Sequence, residues 1–286
     1  MKKFGVLVAM LLTAALLFTG CAQQESFDPS NAIATVSREE GSGTRGAFVE
    51  LMGLEDEEGN DLTDVNADIA GSTSVMMTNV AGNPYAIGYI SLGSLDATVK
   101  AIKVDGVAAT VDEILAGNYK VSRPFNIAVK QDSLSEVAQD FVDYILSTEG
   151  QAVIEKAGYI PLSDTKAYAG SKPSGEIRVS GSSSVSPVME KLIEAYEALN
   201  TNASIQLQET DSTSGMNDAI EGRSDIGMAS RELKQSETES GLTGIVIATD
   251  GIAVIVNKEN PIEDLSSEQI KKIFMGQAAS WEEFEG

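Results

Sequence analysis

The chain has 286 residues, with 43 Asp+Glu against 20 Lys+Arg for a formal net charge of −23, no histidine and one cysteine. That balance argues against nucleic acid as a partner, and the lack of histidine removes Ser-His triads, histidine acid–base catalysis and the usual zinc sites. A single cysteine cannot close an internal disulfide, and the acidic residues show no calcium-loop spacing, so no metal, no cofactor and no catalytic residue is assigned and an enzyme is not expected.

Lys2 and Lys3 followed by the apolar run Phe4 to Phe18 read as a signal peptide over residues 1–20. It ends at Phe18-Thr19-Gly20-Cys21, where a lipidated Cys21 would anchor the exported chain to the outer face of the cell membrane, although bacterial lipoprotein signals usually carry Leu where Phe18 stands. Without residues 1–20 the formal charge becomes −25, over about 265 residues, enough for two lobes. An anion site on so acidic a chain has to work through local dipoles and one or two arginines.

Beyond a tether over 21–29, strand-like and helix-like segments alternate, which predicts an α/β fold. The apolar run Ala32 to Val36 leads into Arg38-Glu39-Glu40-Gly41-Ser42-Gly43-Thr44-Arg45-Gly46 and then the periodic segment Ala47 to Met52. Ile177 to Val179 leads in the same way into Ser180-Gly181-Ser182-Ser183-Ser184-Val185-Ser186-Pro187 and Val188 to Leu199. Each is strand, glycine-serine turn, helix, and the free N–H groups and dipole of a helix start suit an oxyanion. Strands are also expected at Ala86 to Leu92, Val99 to Val104, Pro124 to Val129, Ser204 to Gln208 and Gly251 to Val256. Helices are expected at Gln131 to Ser147, with Ser133 to Glu136 as a capping box, and at Pro187 to Leu199, Gly215 to Gly222 and Ser266 to Met275. Residues 54–64 are acidic and turn-rich, and 163–175 read as a linker. Gly41 to Gly46 also match the dinucleotide G-x-G-x-x-G pattern, but the charged triplet Arg38-Glu39-Glu40 separates them from the strand, and the hydroxyls of Ser42 and Thr44 suit a free oxyanion better.

These turns, with Asn-Pro-Tyr-Ala-Ile-Gly-Tyr-Ile-Ser (83–91), Arg-Pro-Phe-Asn-Ile-Ala-Val (123–129), Asp-Ile-Gly-Met-Ala-Ser-Arg-Glu-Leu (225–233) and Thr-Asp-Gly-Ile-Ala-Val-Ile-Val-Asn (249–257), resemble the phosphate-binding proteins of ABC-type phosphate importers. The resemblance covers nearly all of the mature chain and implies a two-lobed periplasmic-binding-protein-like fold of type II, each lobe a mixed sheet flanked by helices. The halves stand in exchanged order: the family's second half comes first, 163–175 joins the old end to the old beginning, and the chain stops at Trp281 to Gly286. This reads as a circular permutation, with parts of two tandem copies as the rival account. One lobe would comprise 30–121 plus 251–286, the other 122–250.

The resemblance implies that phosphate is bound by Arg38, Ser42, Gly43, Thr44, Ser183, Ser184, Ser212 and Ser230, with Glu40 holding Arg38 in place. Ser230 stands where some members carry an aspartate, which leaves selectivity over sulfate less secured. Arg231 reads as a surface arginine paired with Glu232. The implied function is capture of inorganic phosphate and its delivery to permease subunits of an ABC importer. The alternatives are a receptor for another tetrahedral oxyanion such as sulfate, or a non-binding surface lipoprotein with an adhesive or regulatory role.

Overall fold

A computed structural model describes residues 27–284. The leader 1–20, Cys21 and most of the tether 21–29 lie outside the described residues. In chain order the elements are β1 (Ala34–Arg38), α1 (Gly43–Leu51), β2 (Asp68–Ala70), α2 (Thr73–Ala81), β3 (Ala86–Ser91), β4 (Lys100–Ala101), β5 (Lys103–Val104), α3 (Val111–Leu115), β6 (Ser122–Val129), α4 (Glu136–Ile145), α5 (Thr148–Lys156), β7 (Gly175–Ser182), α6 (Ser186–Leu199), β8 (Ala203–Thr210), α7 (Ser212–Glu221), β9 (Ile226–Ala229), α8 (Gln235–Glu239), β10 (Thr243–Val256), β11 (Asp264–Leu265) and α9 (Ser267–Phe274).

A continuous hydrogen-bonded path runs β2-β1-β3-β10-β6-β9-β7-β8, with β4 on the flank of β10. Strands β1, β2 and β3 pair in parallel, as do β7, β8 and β9, while β10 runs antiparallel to both β3 and β6. The α/β expectation is met, with β1 and β9 buried along most of their length and the outer strands β2 and β8 largely exposed.

Two large apolar clusters form. One gathers Val36 to Val121 and Ile252 to Trp281, with Phe48 stacked on Tyr89 at 4.0 Å. The other gathers Phe125 to Ala248, around Phe141, Tyr144 and Tyr196. The chain passes between them at 121–125 and 248–252, on β6 and β10. There Arg123 faces Asp250 across the ladder, both buried, with Arg123 Nη2 donating to Asp250 Oδ2 at 3.1 Å and Ser91 Oγ donating to Oδ1 at 2.9 Å. Burial pushes the Asp250 carboxyl up to about 6 against the pull of Arg123 and Ser91, and lowers the Arg123 pKa in turn.

Several sequence expectations shift. The N-cap of α4 is Ser135, which accepts from Ala138 N, whereas Ser133 sits in the short 3-10 turn Gln131–Ser133. Strand β10 begins at Thr243 rather than Gly251, because residues 243–251 pair with β6. The run Val99 to Val104 is two short strands split at Ile102, which turns its N–H to Val254 O.

Residues 161–174 contain no helix or strand and are tied down by side chains and, at Lys166, by a backbone bond from Thr148 N to Lys166 O at 2.8 Å. Asp140 of α4, 5 % exposed, accepts from Tyr168 Oη at 2.5 Å, Tyr196 Oη at 2.8 Å and Ser171 N at 3.0 Å. Burial, then the Asp140 charge, raises the Tyr168 phenol, and burial also pushes Tyr196 up to about 12. Both phenols therefore stay protonated donors in the fold above pH 10, where the unfolded chain ionises, so their contribution to stability is lost as pH rises through that range.

Asp140→Ala removes one acceptor shared by three donors and is expected to cost about 3 kcal/mol in urea unfolding. It should also speed tryptic cleavage at Lys166 and Lys172 severalfold. Unchanged cleavage would show that the carboxylate does not hold this segment.

Candidate oxyanion site

Four strands end in glycine- or serine-bearing turns that start helices, and the turns converge. After β1, Gly41 turns with φ +92° and Ser42 caps α1 by accepting from Arg45 N, so Gly43 and Thr44 fall in the first helical turn. After β2, Ser72 caps α2 by accepting from Val75 N, and Thr73 is its first residue. After β7, Ser183 and Ser184 lead into α6, which carries Pro187 at its start. After β8, Asp211 caps α7 by accepting from Ser214 N, so Ser212 opens that helix. Ser230 follows directly on β9. First-turn N–H groups have no intrahelical acceptor, so four positive helix ends meet here.

The side chains interlock across the two apolar clusters. Thr44 Oγ1 lies 2.7 Å from Ser184 Oγ, and Arg38 Nη2 donates to Ser183 Oγ at 3.0 Å. Thr73 Oγ1 reaches Ser183 Oγ at 3.3 Å and Ser184 Oγ at 3.2 Å, while Arg38 Nη1 donates to Thr73 Oγ1 at 3.3 Å. Ser182 Oγ donates to Ser230 Oγ at 2.9 Å, and Ser212 Oγ accepts from Ser230 N at 3.1 Å. Arg38 and Thr44 are each 1 % exposed, and Thr73, Ser182, Ser183, Ser184, Ser212 and Ser230 are buried.

The arginine-orienting carboxylate is Glu39, not Glu40. Glu39 closes a two-point pair on Arg38, Nε to Oε2 and Nη2 to Oε1 both at 2.7 Å, while Glu40 is exposed and faces an open pocket with Arg45, Asp61, Arg231 and Lys234. The turn at Gly41 carries Glu40 outward before it can reach back to the guanidinium. Arg231 likewise pairs with Glu237, at 2.7 and 2.9 Å, and meets Glu232 only through the backbone carbonyl. Tyr89, its phenol raised by burial and so neutral, accepts from Arg38 N at 3.2 Å.

Of the residues singled out in the sequence, Arg38, Thr44, Ser183, Ser184, Ser212 and Ser230 thus meet in one buried polar cluster. Gly43 touches it: a Cβ there would collide with Ser212 Oγ and come within 2.8 Å of Ser230 Oγ. Ser42 lies at the edge, its hydroxyl engaged in capping α1. Thr73 and Ser182 belong to the cluster and were not anticipated, although Ala70-Gly71-Ser72-Thr73-Ser74 is a third glycine-serine turn of the same type.

Chemically this is a set of hydroxyls, each able to donate and accept, around one guanidinium. An oxyanion placed among them would exchange hydroxyl–hydroxyl bonds for charge-assisted ones, with first-turn N–H groups of the converging helices as further donors. The described residues contain no group of three His, Cys, Asp or Glu able to hold a metal ion.

Residues 19–149 and 166–286 match the family described as PBP superfamily domain. Phosphate-binding protein PstS 2 of Streptococcus agalactiae serotype V is 50% identical over 288 residues, 98% of each chain. PstS 2 of Streptococcus pneumoniae serotype 4 is 41% identical over 285 residues, 96% of this chain and 97% of the other. Phosphate-binding protein PstS of Staphylococcus haemolyticus matches over only 116 residues at 35% identity, 38% of this chain and 37% of its own. The crystal structure of a phosphate-binding protein of a phosphate ABC transporter from Streptococcus pneumoniae superposes with a TM-score of 0.70 at 42% identity, covering 89% of this chain and all of that one. The near-complete alignments run from end to end, so the streptococcal proteins share this order of segments. The chain belongs to the PBP superfamily, in the branch formed by the phosphate-binding proteins of ABC importers.

Proposed function

We propose that this chain captures inorganic phosphate between its two halves, outside the cytoplasm, and presents the closed form to the permease subunits of an ABC importer. The observation that carries the reading is the Thr44–Ser184 contact at 2.7 Å beside the Arg38–Ser183 hydrogen bond, which brings donors of both halves to one buried point. The lobes are 30–121 with 251–286, and 122–250. Arg38, Thr44 and the Gly43 N–H of the first face Ser183, Ser184, Ser212 and Ser230 of the second, and Ser42 holds the start of α1 in register. Thr73 and Ser182 complete the cage. The relatives carry phosphate in their names, which favours it over sulfate or an adhesive role. The chain binds and releases without turnover, since it offers no histidine base.

Closure follows from differential contact: an anion touched by both lobes stabilises the closed state by interactions the open state lacks. Lipid on Cys21 keeps the protein at the outer face of the membrane, within reach of the permease.

Calorimetric titration of the anion-stripped protein with phosphate is expected to give one site per chain. At a hundredfold excess over Kd, phosphate should add about 2.7 kcal/mol of stability. A folded chain showing neither heat nor stabilisation would end this reading.

Gly43→Ala is expected to weaken phosphate binding by about tenfold or more, because the added methyl overpacks the closed cage. The unfolding midpoint without phosphate should stay within a few degrees, and a large drop in it would place Gly43 in the fold instead of the site.

Cys21→Ala should release the protein from cells into the medium and abolish its labelling by radioactive palmitate. Retention at the membrane would rule out the lipid anchor.

A further inference from the structure

The hydroxyls of the cage bond to one another, so they exchange those bonds when an oxyanion enters. One contact between the halves is of another kind. The Thr213 amide lies in the first turn of α7, where a helix offers no acceptor, and Asp211 has given its carboxylate to Ser214 N and Ser214 Oγ. Thr213 N donates instead to Gly41 O at 3.2 Å, and Thr213 Oγ1 donates to the same carbonyl at 3.1 Å. Gly41 stands on the turn between β1 and α1, in the other half of the chain, so both bonds run from half to half.

The contact is braced on each side. Arg45 Nη1 donates to Arg38 O at 2.9 Å while Arg45 Nε pairs with Asp61 at 2.7 Å, which steadies the turn that presents the carbonyl. Opposite, Arg231 Nη2 donates to Thr213 Oγ1 at 3.3 Å, and Glu237 grips that guanidinium at two points. A hydroxyl has one proton and two lone pairs, so accepting from Arg231 leaves the proton for Gly41. The close approach requires glycine: its φ is +92°, and a Cβ there would fall 2.6 Å from Asp211 Oδ1 and 3.4 Å from Thr213 Cβ.

A carbonyl oxygen only accepts, so it has nothing to offer an oxyanion and no bond to exchange with one. The two bonds to Gly41 therefore need not be given up when the cage fills, unlike the Thr44–Ser184 contact. We propose that Thr213 is a positioning residue that latches the closed form by docking the start of α7 on the Gly41 carbonyl. It touches no anion. It raises the share of chains in the arrangement that grips one and slows release, so it sets how tightly the ligand is held without selecting it. The latch rests on the closure of two halves proposed above.

The test uses the full chain, stripped of anion and then given phosphate. Thr213→Val removes the hydroxyl but keeps the shape and the amide. It is expected to release phosphate about fivefold faster and to bind it about fivefold more weakly, the loss of one hydrogen bond, with the phosphate-free unfolding midpoint within a few degrees of the parent's. Thr213→Ser keeps a hydroxyl and is expected to release within about twofold of the parent rate. Hydrogen exchange at the Thr213 amide, followed by NMR, reads the contact without reference to binding, and is expected to be roughly tenfold or more slower than for a first-turn amide with no acceptor. A Thr213→Val protein that releases phosphate as slowly as the parent overturns the latch, and so does a Thr213 amide that exchanges freely both with and without phosphate. A parent that takes up no phosphate ends the phosphate reading alone. The latch is then judged by the amide at position 213, whose protection Thr213→Val should lower about fivefold, and unchanged protection overturns it.

Discussion

An ion taken out of water is held only by what replaces its hydration shell, and on a chain of net charge −23 that replacement must act at hydrogen-bond distance. The oxyanion cluster is arranged accordingly. Its one cation, Arg38, is already paired with Glu39, so the pair adds little net charge but fixes the guanidinium, leaving Nη1 and part of Nη2 for Thr73 and Ser183. The remaining donors are hydroxyls and helix starts, whose dipoles are fixed by the backbone. Because Thr44, Thr73 and Arg38 stand on one half and the serines on the other, attraction to the proposed anion is also attraction between the halves.

The proposed closure needs a crossing that keeps register between the halves. Strand β10 supplies it: its 14 residues pair with β6 over 243–251 and with β3 over 252–256, and a register shift between Val246 and Ala248 relieves the ladder just before the crossing. Arg123 and Asp250 sit opposite one another at that point. A buried pair of this kind adds little net stability, yet removing either member would strand the other charge, so it fixes which residues face each other. The proposed closure would then be a rotation about strands that stay paired at this crossing.

The sequence made the architecture legible where a strand, a glycine-serine turn and a helix follow one another in clear periodicity, as at 32–52 and 177–199. It was silent where the signal was short or mixed. Strand β2 has three residues, so the turn carrying Thr73 had no apolar run ahead of it. The first part of β10, Thr-Gly-Ile-Val-Ile-Ala-Thr-Asp, carries the strand-forming run Ile245-Val246-Ile247, but it is short and bounded by Gly244 and Asp250, and pairing with β6 makes it one strand with Gly251 to Val256. Two adjacent carboxylates, Glu39 and Glu40, cannot be told apart by type; the Gly41 turn decides which one meets Arg38. The residues of the cluster, spread from 38 to 230, were readable only through resemblance, since nothing in spacing brings Thr44 to Ser184.

The order of the segments has its own physical logic. Near the described ends, Ile33 N donates to Ala279 O at 3.1 Å, Glu282 N donates to Pro29 O at 2.8 Å, and Phe27 packs edge-on to Trp281 at 6.4 Å. Chain that pairs this closely can be joined or cut there with little change in the packed structure, because the contacts do not depend on a peptide bond. The segment 161–174 is likewise held by Asp140 and its tyrosines, through contacts that do not depend on the order of the segments. The meeting of Arg38 and Thr44 with Ser183 and Ser184 is a distance in space, indifferent to which residue comes first in the chain.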